Sequence, residues 1–249
     1  MKITFLGSSH GVPAADRFCS CAMIEVGKDI YFIDAGVPMV DLILRYGRKV
    51  EDIKAVFTTH AHGDHINGVI GLSNLVNWYY KDASVDFYMT EEKPTKAIID
   101  YIEAIDAREF DSERIHFNII DEGFVYEDDN IKVTAFPTEH LNYKSGRRPS
   151  FGYIVEAEGK CAVFSGDLSI HIRHNDFPKL ALEKEIDLLV CEMAHFNIAE
   201  VSPYLDKCKA KELWFNHVGY TATFQEIEAL NGKYSFPINL AHDGDVIEL

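Results

Sequence analysis

The stretch His60-Ala61-His62-Gly63-Asp64-His65 places three imidazoles and one carboxylate within six residues. It comes just after an apolar run at 55–58, which predicts a buried strand, and before 66–80, where the spacing predicts a helix. Imidazole and carboxylate are ligands that suit zinc, iron or manganese. Because side chains alternate along an extended strand end, His60 and His62 can face one ion. Asp64 and His65, at the start of the helix, can face a second.

Further histidine and aspartate residues follow predicted strands later in the chain. His140 comes after a strand at 131–136, Asp167 after a strand at 161–164, and His217 ends the apolar run 212–216. Strands that run in parallel bring their carboxyl ends to one edge of a sheet. We therefore expect these three residues to join the first motif at a single site.

The rest of the chain alternates predicted strands and helices, without a repeat or a linker. Further strands are predicted at 2–6, 21–26, 30–33, 85–89, 115–119, 151–155, 186–191 and 245–249. Further helices are predicted at 38–46, 94–105, 175–184, 202–210 and 222–230. This order predicts a layered α/β architecture and one domain over residues 1–249. It leaves the number and stacking of the sheets open.

Composition excludes several classes of protein. The 249 residues are 47% hydrophobic and 26% charged, and no apolar run is long enough for a membrane helix. The formal net charge of −16 repels nucleic acid and anionic membranes at long range. An odd number of cysteines, five, argues against a secreted disulfide framework. With no signal-peptide pattern at the N-terminus, a cytoplasmic location is expected. Cys19 and Cys21 form a weak candidate pair for a structural metal.

The motif at 60–65 together with His140, Asp167 and His217 resembles, in order, the metallo-β-lactamase superfamily. The resemblance implies a four-layer αββα sandwich of two mixed β-sheets flanked by helices. It also implies two divalent metal ions (zinc, manganese or iron) that activate a hydroxide for hydrolysis. Asp64 then counts as both a catalytic residue and a ligand. The implied ligands are His60, His62 and His140 for one ion, Asp64, His65 and His217 for the other, and Asp167 as a bridge.

The opening sequence 5–13 resembles the phosphodiesterase branch, which includes ribonuclease Z and the phosphodiesterase of bacterial phosphonate-degradation operons. Residues 187–192 are similar to the ribonuclease Z stretch whose glutamate supports a catalytic histidine. That stretch continues differently here, with His195 three positions after Glu192. We expect His195 to be the proton donor and Glu192 to orient an imidazole.

The substrate is expected to be a small phosphodiester or a cyclic phosphate. Ribonuclease Z carries a long tRNA-gripping arm between the positions of His140 and Asp167, which are only 27 positions apart here. No folded RNA or membrane partner is therefore expected, and a homodimer is left open. Lys144, Arg147 and Arg148 are the candidate substrate-binding residues because three cations on one loop can bind a phosphate group.

Two other functions stay open at this stage. Glyoxalase II and lactonases share the metal motif, and hydroxide also attacks thioesters and lactones. A non-catalytic metal-binding sensor is the other alternative. The complete set of ligands favours an enzyme, and the opening segment favours a phosphodiesterase.

Overall fold

Two seven-stranded β-sheets, packed face to face, form the centre of the computed structural model. The model describes residues 1–12, 14–106, 108–219 and 224–249. Alternation along β4 (Ile53–Phe57) shows how the packing arises. Ala55 and Phe57 point into the core between the sheets, whereas Val56 points toward the helices.

The first sheet has the strand order β16-β1-β2-β3-β4-β5-β6. Pairing is antiparallel from β16 to β3 and parallel from β3 to β6. Besides β4, its strands are β1 (Lys2–Gly7), β2 (Cys21–Val26), β3 (Asp29–Ile33), β5 (Val85–Met89), β6 (Ile115–Ile119) and β16 (Val246–Glu248).

The second sheet has the order β15-β14-β13-β12-β11-β8-β7. Here β12 to β15 pair in parallel, and β7, β8, β11 and β12 pair antiparallel. Its strands are β7 (Gly123–Glu127), β8 (Ile131–Pro137), β11 (Phe151–Ala157), β12 (Lys160–Phe164), β13 (Leu188–Met193), β14 (Leu213–Val218) and β15 (Ile238–Leu240). A separate small hairpin joins β9 (Asn142–Tyr143) and β10 (Gly146–Arg147).

Helices cover the outer face of each sheet. They are α1 (Met39–Arg45), α2 (Gly63–Trp78), α3 (Glu92–Asp106), α4 (Lys179–Glu183), α5 (Ile198–Leu205) and α6 (Phe224–Glu228). One apolar core lies between the first sheet and α1–α3, a second lies between the sheets, and a third lies between the second sheet and α4–α6. These layers confirm the predicted αββα sandwich of two mixed sheets.

Four parts of the predicted element pattern were incomplete or wrong. The helix expected at 175–184 is seen only as Lys179–Glu183, with Pro178 at its N-cap. The strands β7 and β15 and the hairpin β9–β10 were not predicted. The helix expected at 202–210 begins four residues earlier, at Ile198, because Asn197 and Glu200 form a reciprocal capping box. The helix expected at 222–230 is seen as Phe224–Glu228, and its predicted first two residues lie outside the described residues.

Within the described ranges, no helix combines the length and the apolar character needed to cross a bilayer.

Candidate metal centre

All seven predicted ligands lie at one edge of the sandwich. His60 and His62 follow β4, and Asp64 and His65 begin α2. In the second sheet, β8 leads to the loop with His140, β12 leads to the loop with Asp167, and β14 contains His217. The residues that come from the second sheet are His140, Asp167 and His217. The carboxyl ends of β4, β8, β12 and β14 therefore supply every candidate ligand.

The first group consists of His60, His62 and His140, whose ring nitrogens converge. His62 Nδ1 lies 3.0 Å from His60 Nε2 and 3.3 Å from His140 Nε2. Burial lowers the pKa of all three imidazoles, most strongly that of His60. Neutral imidazoles turned toward one point are the donors that a divalent cation requires.

The second group consists of Asp64, His65 and His217. Asp64 Oδ2 lies 3.1 Å from His65 Nε2 and 3.8 Å from His217 Nε2. Burial disfavours the charged form of Asp64, but the neighbouring His65 imidazole outweighs it and lowers the pKa of this carboxyl to about 2. The group therefore offers a carboxylate and two ring nitrogens.

Asp167 lies between the two groups. Its Oδ2 atom is 3.8 Å from His60 Nε2, 3.7 Å from His140 Nε2, 3.6 Å from His65 Nε2 and 3.4 Å from His217 Nε2. Burial opposes ionisation of Asp167, but His217 and His65 hold its pKa well below the usual range. One ionised oxygen thus faces nitrogens from both groups, which is the position of a bridging ligand.

The buried atoms that lack partners fit the presence of cations. His65 Nε2 and His217 Nδ1 are buried and make no hydrogen bond with the described residues. Unpaired buried ring nitrogens are costly unless something else satisfies them. A cation that faces Nε2 of His65 would satisfy that nitrogen. The set of imidazoles and carboxylates has the chemistry of zinc, manganese or iron ligands.

Asp34 supports the centre from behind and was missed in the sequence. It is 4% exposed, and it accepts hydrogen bonds from Thr59 N at 2.8 Å and from His65 Nδ1 at 2.7 Å. Burial lowers the pKa of His65, but Asp34 and Asp167 outweigh this and raise it well above its usual value. Its position in the sequence could have identified it, because Asp34 directly follows β3 and β3 pairs with β4, which leads into the metal motif.

Asp176 joins two of the ligand-bearing loops and was also missed. Its Oδ2 accepts hydrogen bonds from Glu139 N at 2.9 Å and Ser169 N at 2.7 Å. Glu139 directly precedes His140, and Ser169 lies two positions after Asp167. The carboxylate therefore fixes the spacing of two predicted ligands from different strands.

His195 lies beside Asp167, as expected for a residue that acts at the centre. Its Nδ1 is 2.9 Å from Glu192 Oε1 and 3.9 Å from Asp167 Oδ2. Burial opposes protonation, but the Glu192 carboxylate outweighs it and raises the pKa of His195 to about 9. Glu192 is 3% exposed and also accepts hydrogen bonds from Leu168 N and Ala194 N. His140, Asp167 and His195 also form a further group of potential ligands.

The three predicted cations, Lys144, Arg147 and Arg148, lie on an exposed loop beside the centre. Both guanidiniums are paired. Arg147 is 3.1 Å from Glu139 Oε1, and Arg148 makes two bonds to Glu91 at 2.7 and 3.1 Å. The partner of Arg148 was not predicted, since Glu91 lies 57 positions away in the chain. Two of the three positive charges are thus largely compensated before any substrate arrives.

Cys19 and Cys21 do not form a metal site with the described residues. Both are buried free thiols, and burial raises the pKa of each. Neither occurs in a described cluster of three or more potential ligands. Their packing accounts for them as small apolar residues.

The amino-acid sequence is similar to those of known proteins. Residues 1–239 match the model of a family described as anti-Pycsar protein Apyc1. Ribonuclease Z of Gloeothece citriformis is 30% identical over 168 residues, which cover 66% of this chain and 49% of that protein. The chain therefore spans about half the length of the curated relatives that it matches.

Two solved structures share the fold. The metallo-β-lactamase fold protein YhfI from Bacillus subtilis has a TM-score of 0.76 at 18% identity, over 100% of this chain and 99% of that one. A diphosphatase of the PhnP family has a TM-score of 0.72 at 21% identity, over 100% of this chain and 96% of that one. Their similarity confirms the sandwich predicted above.

Proposed function

Because this chain belongs to the anti-Pycsar protein Apyc1 family, within the metallo-β-lactamase superfamily, we propose that it is a metal-dependent hydrolase that cleaves a small phosphodiester or a cyclic phosphate. The observation that carries the proposal is the position of Asp167. Its Oδ2 atom lies within 3.4–3.8 Å of four imidazole nitrogens that come from two separate groups. That arrangement supports a centre with two ions.

Each residue of the centre has a proposed role. His60, His62 and His140 would hold the first ion, Asp64, His65 and His217 would hold the second, and Asp167 would bind both. When bound, divalent ions lower the pKa of water and stabilise the charge that develops on a phosphoryl group. Zinc, manganese and iron all suit this mixed set of nitrogen and oxygen donors.

The chain itself provides a group for the leaving oxygen. His195 is held by Glu192 through a 2.9 Å bond, and the Glu192 carboxylate outweighs burial and raises the pKa of this imidazole to about 9. Its ring lies 4.5 Å, centroid to centroid, from that of His140. We therefore assign His195 the donation of a proton to the departing alkoxide, and Glu192 the positioning of that imidazole.

Net charge and loop size support a small substrate. The segment between His140 and Asp167 contains a hairpin with strands of two residues, followed by β11 and β12 of the sheet. The chain carries a formal charge of −16, and Arg147 and Arg148 are already paired. Folded RNA needs many free cations that neutralise phosphates. It remains the second candidate because the relatives include proteins named ribonuclease Z.

A substrate panel on metal-loaded protein tests the proposal. With manganese, zinc or iron, we expect turnover of bis(p-nitrophenyl) phosphate and little turnover of a thioester, a lactone or a tRNA precursor. A matched pair of variants provides the control. Asp167→Asn should abolish turnover, whereas Asp86→Asn, which affects a carboxylate paired with His116 on the first sheet, should not. Turnover of the thioester or lactone alone would reject the phosphodiesterase assignment.

We also infer that residues 1–249 form one domain. The last strand, β16, pairs with β1, so the two ends of the chain share one sheet. Limited proteolysis that releases a stable fragment would contradict this.

A further inference from the structure

A small cavity lies between the two sheets, behind the metal centre. Its volume is about 30 Å³, which is the space of roughly one water molecule. Every residue of its lining except Gly166 is buried. The apolar part of the lining belongs to the core between the sheets and consists of Ala22, Ile33, Phe164 and Val190. The cavity is therefore an internal space rather than a part of the surface.

The cavity touches the metal centre on one side only. Three candidate ligands, His65, Asp167 and His217, belong to its lining, and the other four do not. Neither proposed ion position is formed by these three residues alone. The cavity is thus a separate space behind the ligands, and a group bound in it can contact a ligand without replacing an ion.

The end of β14 turns two polar side chains toward the space between the sheets. Phe215 and Val218 belong to the outer core, whereas Trp214 packs against the core between the sheets. Alternation along the strand places Asn216 on the same inner face as Trp214. The pairing of β13 with β14 skips His217, which has a φ of 51°. His217 is therefore the extra residue of a bulge, so it does not have to follow the alternation outward.

Both of these side chains line the cavity, and each has a buried atom without a partner. The atoms are Asn216 Oδ1 and His217 Nδ1, in residues that are 7% and 4% exposed. His217 Nε2 faces the centre, 3.4 Å from Asp167 Oδ2, so Nδ1 is the nitrogen on the other side of the ring. An imidazole that binds a metal through one nitrogen donates the proton of the other to an oxygen. His217 therefore needs an acceptor, and Asn216 Oδ1 needs a donor.

Water is the ligand that satisfies both atoms. The two carboxylates of the lining other than Asp167 are Asp34 and Glu192, and both already accept hydrogen bonds from other groups. A cation would face the proton of His217 Nδ1 and is disfavoured. Water donates and accepts, and Ser20 of the same lining carries a hydroxyl that can be its third partner. Three partners are typical of a buried water.

We propose that the cavity binds one water molecule, which accepts a hydrogen bond from His217 Nδ1 and donates one to Asn216 Oδ1. The water fixes the imidazole so that the lone pair of Nε2 points toward the second ion position. Asn216 is then a positioning residue, because it acts on a ligand through the water and contacts neither ion. The inference uses the proposed ligand role of His217, but it does not depend on the proposed reaction.

A high-resolution crystal structure of the zinc-loaded protein tests the water directly and needs no variant. We expect a density peak in the cavity within about 2.7–3.2 Å of both His217 Nδ1 and Asn216 Oδ1. Asn216→Leu, which has a similar volume and no acceptor, should lose this peak. A cavity without a peak, or a direct hydrogen bond between His217 and Asn216, would overturn the proposal.

Chelator competition tests the effect on the ligand. Asn216→Leu should lower the affinity for the more weakly bound zinc ion by about 10- to 100-fold, as loss of a supporting group does. Asn216→Asp, which keeps an acceptor oxygen, should restore it. Ser73→Ala is the matched control, because Ser73 is fully buried in α2, its hydroxyl also lacks a partner, and it does not line the cavity. Its zinc affinity should equal that of the wild type.

Thermal unfolding of the metal-free variants separates positioning from a purely structural role. If Asn216→Leu lowers the melting temperature but binds zinc as tightly as the wild type, the positioning role is overturned. Neither readout depends on turnover. If the water and the loss of affinity are observed but no diester is cleaved, the proposed function fails alone. If diesters are cleaved but the peak is missing, only the present inference fails.

Discussion

Replacing Asp34 should weaken both the fold and the second metal position. The Asp34 carboxylate accepts hydrogen bonds from Thr59 N and His65 Nδ1, and Asp34→Ala leaves both donors buried without an acceptor. Thr59 Oγ1 is not counted, because it also lies 3.0 Å from His60 Nδ1. An unsatisfied buried donor costs about 1–3 kcal/mol, so two should cost about 2–6 kcal/mol.

Asp34→Asn separates metal binding from stability. The backbone at Asp34 has a φ of 63°, which asparagine tolerates well, and the amide oxygen still accepts from Thr59 N. The amide nitrogen, however, cannot accept the proton of His65 Nδ1. That proton then shifts to Nε2, the atom that faces Asp64 and Asp167. Loss of such a supporting group typically lowers metal affinity by about 10- to 100-fold.

Urea unfolding of the metal-free protein and chelator competition measure the two effects. Asp128→Asn is the control, because Asp128 accepts hydrogen bonds from Tyr31, Tyr126 and Ile131 away from the centre. It should lower stability without changing metal affinity. If Asp34→Asn bound metal as tightly as the wild type, the reasoning about His65 would be refuted.

The remaining predictions concern the centre and its loops. Asp167→Ala should lose at least one ion and most activity, and full metal content by elemental analysis would contradict the bridging role. His195→Ala should retain both ions yet slow poor leaving groups by about 10²- to 10⁴-fold, and more than good ones; equal slowing would remove it as the proton donor. Gly166→Ala should lower the free energy of unfolding by about 1–3 kcal/mol more than Gly27→Ala. Both glycines have positive φ, but a Cβ on Gly166 would come within 2.2 Å of the Phe151 carbonyl oxygen, whereas Gly27 faces open space. Similar losses of stability would refute this close approach.

Local patterns in the sequence were enough to predict most strands and to bring the candidate ligands to one edge of the sandwich. His140 and Asp167 each follow an apolar run that forms a strand, and the edge rule for strand ends then brought them together. The same rule applied to Asp34 would have found the support of His65. The two-sheet stacking came from the family resemblance, because periodicity carries no information on which strands pair.

Features that depend on distant partners were beyond the sequence. Nothing near the 144–148 loop in the sequence indicates that Arg148 pairs with Glu91, 57 positions away in the chain, and phosphate binding by this loop stays a prediction. Strand β7 has an irregular burial pattern and pairs with β8 around a register shift, so it lacks clean alternation. The helix expected at 202–210 would have had Pro203 in its first turn, where proline is common. In the structure Pro203 lies inside α5, which begins at Ile198.

The position of bound ions tests the central claim most directly. Crystals of the protein loaded with manganese or zinc, measured by anomalous diffraction, should show two peaks per chain. One should contact His60, His62 and His140, the other Asp64, His65 and His217, and Asp167 should contact both. A single peak, or peaks away from Asp167, would contradict the account.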